Sequence, residues 1–593
     1  MSVSTPKRHS ALRCLCYTRC GTQVVLRVRV SQHAKSIGVL IRKRKERYAM
    51  KQASPGPSRN ARDGKGNELY RNSEIRNGEF IRYYGKATEV VIPDSVTLIS
   101  EGAFRGNTTL LDVVIGKNVS VIEENAFRGC KNLRSVSFPA GLREIGKEAF
   151  RDCRTLSSAI LPRSVTAIGD GCFRGCLSLR TAVLPQGLHS LGAHAFCGCE
   201  ALEELAIPEG ITAIRHSLLF NCPSLRRVDL PQGIQTVGRY AFGKCPSLCE
   251  IRLPEGVTYI GSGAFCECDS LTSITVPPLV SFIGDYAFAC CENLREAVLP
   301  EGITHIGIHS FCACKKLERV NLPTGLRRIA GGAFAGCSSL ARISVPKTVE
   351  EIDRQAFAFC ESLAQVELKA PLTILPEEVF SSCFALDAIQ LPDTVQKIGK
   401  SAFSRCVSLR RVHIPESLQV IEERAFADCH ALHTVTLPPT LKTIKDHAFS
   451  DCTSLVTVLM PDGSVSVGHG AFEGCSALEV MVIADKTKFF RARAETWGIA
   501  EQTQVILYSE LQIACLFEEM TDENTPIERR RELRAEIRRR LSRTKKRNRQ
   551  HSVRPVRKNI FSAIGAIWEQ SVDADPAEQT AEEKNETGSD SEA

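Results

Sequence analysis

Phenylalanine returns every 23 residues along most of this chain. It stands at 104, 127, 150, 173 and 196, then at 242 and at every twenty-third position to 472, and the one missing slot holds Leu219. Cys follows each slot by three residues, from Cys130 to Cys475, with Asn107 in the first unit instead. Leu follows by six, from Leu110 to Leu478, and Pro precedes by eleven, from Pro93 to Pro461, except at Gly116 and Lys369. No insertion or deletion breaks the phase across the seventeen units. Each unit carries about eight apolar side chains, too few to bury themselves alone, so the units must stack and share one continuous core.

One unit shows the local logic. Leu225-x-x-Val228-x-Leu230-Pro231 alternates at its end and reads as a short strand with Val and Leu inward. Pro231 closes it, since Pro has no N–H for the next ladder bond. Ile234 and Val237 mark a second inward-facing run, and Ala241 and Phe242 start a tight helical turn. Strands stacked at roughly 4.8 Å per rung give an array about 80 Å long, with a Phe column as an aromatic spine and a Leu column beside it.

The motif Leu-x-x-Val/Ile-x-Leu-Pro…Ile-Gly-x-x-Ala-Phe-x-x-Cys-x-x-Leu resembles the BspA-type (treponemal-type) leucine-rich-repeat family, over about residues 78 to 507. The resemblance implies a repeat solenoid: a curved, right-handed superhelix, mainly β, with one short strand per repeat on the concave side and short helical turns. The lead-in from Asn77 to Pro93 looks like the family's N-terminal cap, and the exit from Ile483 to Trp497 is similar to its C-terminal cap. Capping is a physical need, because an open end exposes core and unpaired strand edges. The resemblance also implies surface proteins that adhere to host or matrix proteins.

The 26 Cys would suggest a disulfide framework in a small secreted chain, but their spacing assigns most of them to one core slot per rung. Stacked rungs place these thiols about 5 Å apart, parallel to one another rather than facing. Off the column, Cys266, Cys290 and Cys312 fall in adjacent units beside Cys268, Cys291 and Cys314, and Cys14, Cys16 and Cys20 are similarly close. Such pairs suit a soft metal, but neighbouring residues face opposite ways and no clustered His joins them, so no metal or cofactor is expected. A Gly-x-Ser-x-Gly elbow, a Walker-type loop and a His-Glu-x-x-His motif are all missing, which argues against an enzyme and a small-molecule substrate. There is no apolar run of 18 residues, and the basic N-terminus lacks a clean signal-peptide core. Unpaired thiols and no signal sequence favour a cytoplasmic protein over a surface one.

The flanks differ from the array, and the expected divisions are 1–76, 77–484, 485–508, 509–558 and 559–593. The first is a basic segment, with twelve Lys/Arg and one acid in residues 1–49, then a Pro- and Gly-rich linker; Met50 offers a second start. The repeats with their N-terminal cap and then the C-terminal cap follow. A helical extension comes next, opened by Ser509-Glu-Leu-Gln512 and Thr525-Pro-Ile-Glu528 as capping boxes. A short apolar stripe from Ile560 to Trp568 and an acidic tail end the chain.

Two candidate sites emerge. On the sheet side, the positions flanking the inward Val/Ile point outward: Glu204, Arg227, Asp229, Glu250, Arg252, Glu296, Arg319, Asn321, Arg342, Glu367 and Arg411, beside an apolar or small shoulder of Ser158, Ile160, Thr181, Val183 and Ala206. A polar centre with an apolar shoulder suits protein recognition, though an ordinary solvated face with cross-strand charge pairs reads the same way. The second candidate is the basic helix of Arg529, Arg530, Arg531, Arg534, Arg538, Arg539 and Arg540, which would suit nucleic acid or an anionic membrane surface, with the acidic tail as its competitor. The leading expectation is therefore a non-enzymatic scaffold that binds a protein ligand. The alternative is an intracellular adaptor working through the basic helix.

Overall fold

The computed structural model describes residues 69, 71–460, 465–483, 495–500 and 503–507, together with Arg529, Glu532, Leu533, Ala535, Glu536 and Arg539. The first 68 residues, Cys14, Cys16 and Cys20 among them, lie outside the described residues, as do 484–494, the two capping boxes and everything after Arg539. Contacts divide the chain into Met1–Asn67 and Glu68–Ala593, and the fold below is that of the second unit.

Seventeen rungs stack as a solenoid, and each contributes two strands rather than one. In the unit that carries Phe242, Arg227–Asp229 is the first strand and Thr236–Val237 the second. The second strand is the run that Ile234 and Val237 announce, and it is only two residues long because turns crowd it on both sides. Like residues pair across rungs in parallel register: Glu204 with Arg227, Val228 with Ile251, Thr236 with Tyr259. Parallel strands joined through a full turn build a first sheet and a second sheet, with Val228 and Val237 pointing into the core between them.

The expected helical turn at Ala–Phe is a chain of tight turns. Arg128 N–H donates to Asn125 O (3.0 Å) and Cys130 N–H to Phe127 O (3.1 Å), while the residues between reach the next rung, Phe127 N–H to Ala149 O (2.7 Å). Two residues before and two after the Phe slot, the backbone is left-handed, as at Asn125 (φ 56°) and Gly129 (φ 74°). Single left-handed residues stop a right-handed helix from propagating, so the arc closes on itself and keeps every second N–H for its neighbour.

Phe104 begins a buried column that runs to Phe472, and Phe80 of the N-terminal lead-in joins it at 4.8 Å. Ring centroids are 4.8 to 5.7 Å apart with planes within 17° of parallel. That is the offset stacked arrangement that aromatic rings favour. Leu219 interrupts it between Phe196 and Phe242.

The Cys column is buried, and it has a bonding role as well. Every thiol from Cys130 to Cys475 donates to the backbone oxygen of the slot residue one rung back, at 3.0 to 3.3 Å. A carbonyl has two lone pairs, and in most rungs the backbone N–H three residues on takes the other. Cys fits because it is small and apolar yet still carries a donor. The first rung has no ordinary rung before it, and there Asn107 caps the turn instead: its Oδ1 accepts from the Thr109 and Leu110 N–H groups and its Nδ2 donates to Gly85 O.

Both ends of the array are covered. The antiparallel hairpin Ser73–Arg76 with Glu79–Tyr83 joins the second sheet through Phe80, paired with Ile99. At the other end Trp497, buried, offers its carbonyl to the Phe472 N–H at 2.9 Å, the place an Ala carbonyl takes elsewhere, and Gln504–Leu507 pairs in parallel with Val480–Ile483.

Candidate protein-binding face

The first sheet places the predicted face residues on its outer side. Leu205, Val228 and Ile343 are buried inward, so the residues on either side of each in the strand, one position before and one after, project out. Glu204, Arg227 and Glu250 pair rung to rung in one column, Glu296 pairs with Arg319, Arg342 with Gln365, and Arg411 with Ala388. Arg252 and Asn321 directly follow their strands. All eleven are exposed except Glu296, which is half-buried. Of the shoulder, Ile160, Val183 (46%) and Ala206 are exposed, and Ser158 and Thr181 are half-buried.

Within this face some charges satisfy one another. The Arg319 guanidinium meets the Glu296 carboxylate at 3.1 and 3.2 Å, and that hydrogen-bonded pair holds Glu296 below the usual carboxylate range. Arg227 reaches Asp229 along its own strand at 2.8 Å. Glu367 accepts from the Ser344 hydroxyl at 2.6 Å and pairs with Lys369 at 3.1 Å. Asn321 is committed to the scaffold: its side chain both accepts from the Leu299 N–H (2.8 Å) and donates to the Leu299 oxygen (2.7 Å), standing in for a strand ladder that stops at Val320. Arg252, Arg342 and Arg411 make no ion pair among the described residues. The opposite charges 23 residues apart at Glu296 and Arg319 were a visible signal for pairing. Nothing in the residue types flagged the role of Asn321.

Cys266 is buried and its thiol is pushed up to about 12 by loss of water, while Cys290 and Cys312 are half-buried. Among the described residues no group of three or more His, Cys, Asp or Glu is placed to hold a metal ion. Nor is any described helix long and apolar enough to cross a membrane. In the C-terminal extension, Arg529 and Arg539 are helical and exposed, each ion-paired at 3.3 Å to a glutamate three residues away, and Leu533, also helical, is buried. Arg530, Arg531, Arg534, Arg538 and Arg540 lie outside the described residues.

The family described as BspA-type leucine-rich repeat region matches residues 73–199, 166–295, 281–406 and 373–494, a span without gaps over well more than half of the chain. This chain belongs to that family. BspA-type arrays are repeat scaffolds, a class generally without catalysis. Among solved structures, a leucine-rich-repeat protein from Bacteroides ovatus is 22% identical, covering 72% of this chain and 87% of its own, with a TM-score of 0.33. The leucine-rich-repeat protein of T. pallidum is 33% identical over 29% of this chain and 83% of its own, with a TM-score of 0.28. The pneumococcal vaccine antigen PcpA is 17% identical over 72% of this chain and 91% of its own, with a TM-score of 0.35. Among curated proteins none matches the chain.

Proposed function

We propose that this BspA-type array is a protein-binding scaffold whose first-sheet outer face engages a protein ligand. The observation that carries the reading is a set of exposed arginines, Arg252, Arg342 and Arg411, that make no ion pair among the described residues, spread along a scaffold of short strands held in fixed register. A rigid face loses little conformational freedom on binding, and guanidinium groups recognise carboxylates with two aligned donors. The ligand surface that fits is acidic opposite these rungs and apolar opposite Ile160 and Val183.

The test is a search for ligands by cross-linking on the source cells, followed by binding measurements on Arg342→Glu and Arg411→Glu. Reversing these two charges weakens a ligand held on this face by ten-fold or more, whereas Arg319→Gln combined with Glu296→Gln, which removes a pair of zero net charge, weakens it less. Equal loss in all three variants, or none in any, places the ligand elsewhere. The finer form, a surface protein engaged in adhesion, is tested by adding protease to intact cells: protection of the chain overturns it. The adaptor alternative rests on the basic extension, where Arg529 and Arg539 are each engaged by a helix glutamate. Removal of everything after residue 508 leaves ligand binding unchanged if the sheet face holds it.

A further inference from the structure

On the second sheet, Tyr259, Phe282 and Ile374 are exposed at outward strand positions, the first two in consecutive rungs. Of the twelve large hydrophobic residues exposed among those described, six lie between 259 and 308: Val298 on the first sheet, and Tyr259, Leu279, Phe282, Tyr286 and Ile308 in second-sheet strands or the turns that flank them. Tyr259 and Phe282 are 47% and 38% exposed and occupy the outward position of consecutive strands, with His305 next in the same column. Register fixes the row, Ile260 pairing with Ile283 and Phe282 with His305. The rungs rise by 5.4 and 5.3 Å beneath them, as read from the buried Phe265–Phe288–Phe311 rings. Among the described residues neither Tyr259 nor Phe282 stacks against another ring, and both are exposed by more than a third.

A second row runs beside the rings. Gln235, Thr258, Ser281 and Thr304 stand one position before the outward residue in successive rungs. The Thr258 and Thr304 hydroxyls each donate to the backbone oxygen one rung back at 3.2 Å, which leaves their lone pairs turned out as acceptors. From Gln235 to His305 neither row contains a Lys, Arg, Asp or Glu. Charges return in the next two rungs and neutralise one another there, Arg327 with Glu350 at 3.0 Å and Arg328 with Glu351 at 3.1 Å.

We infer that this aromatic row with its flanking hydroxyl and amide row is a binding site for an uncharged saccharide chain. A ring face is electron-rich and attracts the slightly positive C–H groups of a sugar face, while the row beside it meets sugar hydroxyls. The ligand repeats because the site repeats: planar faces and polar groups recur once per rung, as the units of a glycan do and the side chains of a protein surface do not. Neither row itself offers an ion-pair partner, which matches the site to an uncharged chain.

The test is electrophoresis of the full chain through gels containing a soluble β-glucan, an α-glucan or a galactomannan, with calorimetric titration of the matching oligosaccharides. At least one of these polymers retards the wild-type chain. Tyr259→Ala combined with Phe282→Ala abolishes the retardation and weakens oligosaccharide binding about ten-fold, the effect of two ring contacts. Tyr259→Phe with Phe282→Tyr, which keeps two rings, preserves it, and unchanged circular dichroism shows that the alanine variant is folded. The inference is overturned if no neutral polymer retards the wild type more than the alanine variant. It is equally overturned if the substitutions change only the sedimentation of the chain, which assigns the row to a second copy. Arg342→Glu and Arg411→Glu leave saccharide binding untouched, so the two faces fail or stand separately.

Discussion

The ring of Tyr240 lies against Gly263, its counterpart one rung on. A Cβ placed on Gly263 would fall inside that ring, with Cδ1, Cε1 and Cζ as its nearest atoms. Both residues are left-handed, at φ 53° and 62°. The arrangement recurs where His309 lies on Gly332 and His447 on Gly470. In these three rungs a ring lies over a glycine 23 residues on, whereas Tyr286 is followed by His309, the two rings tilted at 5.3 Å, so the packing is decided between rungs rather than within one.

Gly263→Ala is therefore costly in two ways. A left-handed Ala loses about 1–2 kcal/mol, and crowding against the ring adds about 1–3 kcal/mol. Adding Tyr240→Ala removes the second cost and leaves the first, so the double variant is more stable than Gly263→Ala alone. Thermal unfolding of the four proteins in the cycle measures this; strictly additive effects would show that the ring does not press on residue 263.

Cys314→Ala tests the thiol column. Phe288 O then keeps the Cys291 N–H (3.3 Å) and loses the Cys314 thiol (3.2 Å), and a small void opens. The expected loss is about 1–2 kcal/mol. Burial also makes the column inert. Alkylation of the native protein, mapped by mass spectrometry, modifies Cys249, the one exposed cysteine among the described residues, well before any column thiol. Early labelling of Cys314 would mean the rungs open readily.

Alkaline pH should unfold the array steeply. Loss of water pushes Cys130, Cys360 and Cys406 up to about 12 from the ordinary 9.0, and most of the other column thiols well above it. A folded-state value above the unfolded one gives stability that is complete below the unfolded value and is lost as pH rises from there toward the folded one. Each thiol contributes a slope of about 1.4 kcal/mol per pH unit in that window. Denaturant unfolding followed from about pH 8 upward shows the decline, and Cys360→Ala with Cys406→Ala makes it shallower. An unaltered slope in that variant would assign the decline to other groups.

Phe288→Leu imitates the substitution already present at Leu219. It should cost less than Phe288→Ala, for which about 3–5 kcal/mol is expected at a fully buried ring. Equal losses would show that stacking with Phe265 and Phe311, rather than filled volume, dominates.

The core was legible because its columns repeat by residue type: Phe127, Cys130 and Leu133 look the same in nearly every unit. The left-handed columns were not, since Asn125, Glu148, His194 and Tyr240 share a conformation but no chemistry. The rung imposes that conformation whatever residue it is given. Phe80 escaped notice because it stands 24 residues before Phe104 and so falls out of phase. For the binding face, alternation along the strand located Arg342 and Arg411, while the hydrogen bonds that commit Asn321 to Leu299 depend on where a strand stops. The exposed pair Tyr259 and Phe282 was hidden by the brevity of the second strand, two residues that show no alternation.

Leu219 splits the ring column into six rings from Phe80 to Phe196 and eleven from Phe242 to Phe472. A stacked rod carries tension from neighbour to neighbour, so it yields where neighbours grip least. Pulled from its ends, the protein behaves as two stiff lengths with a softer coupling between them. Whatever is anchored along the longer length stays gripped while the shorter one gives way.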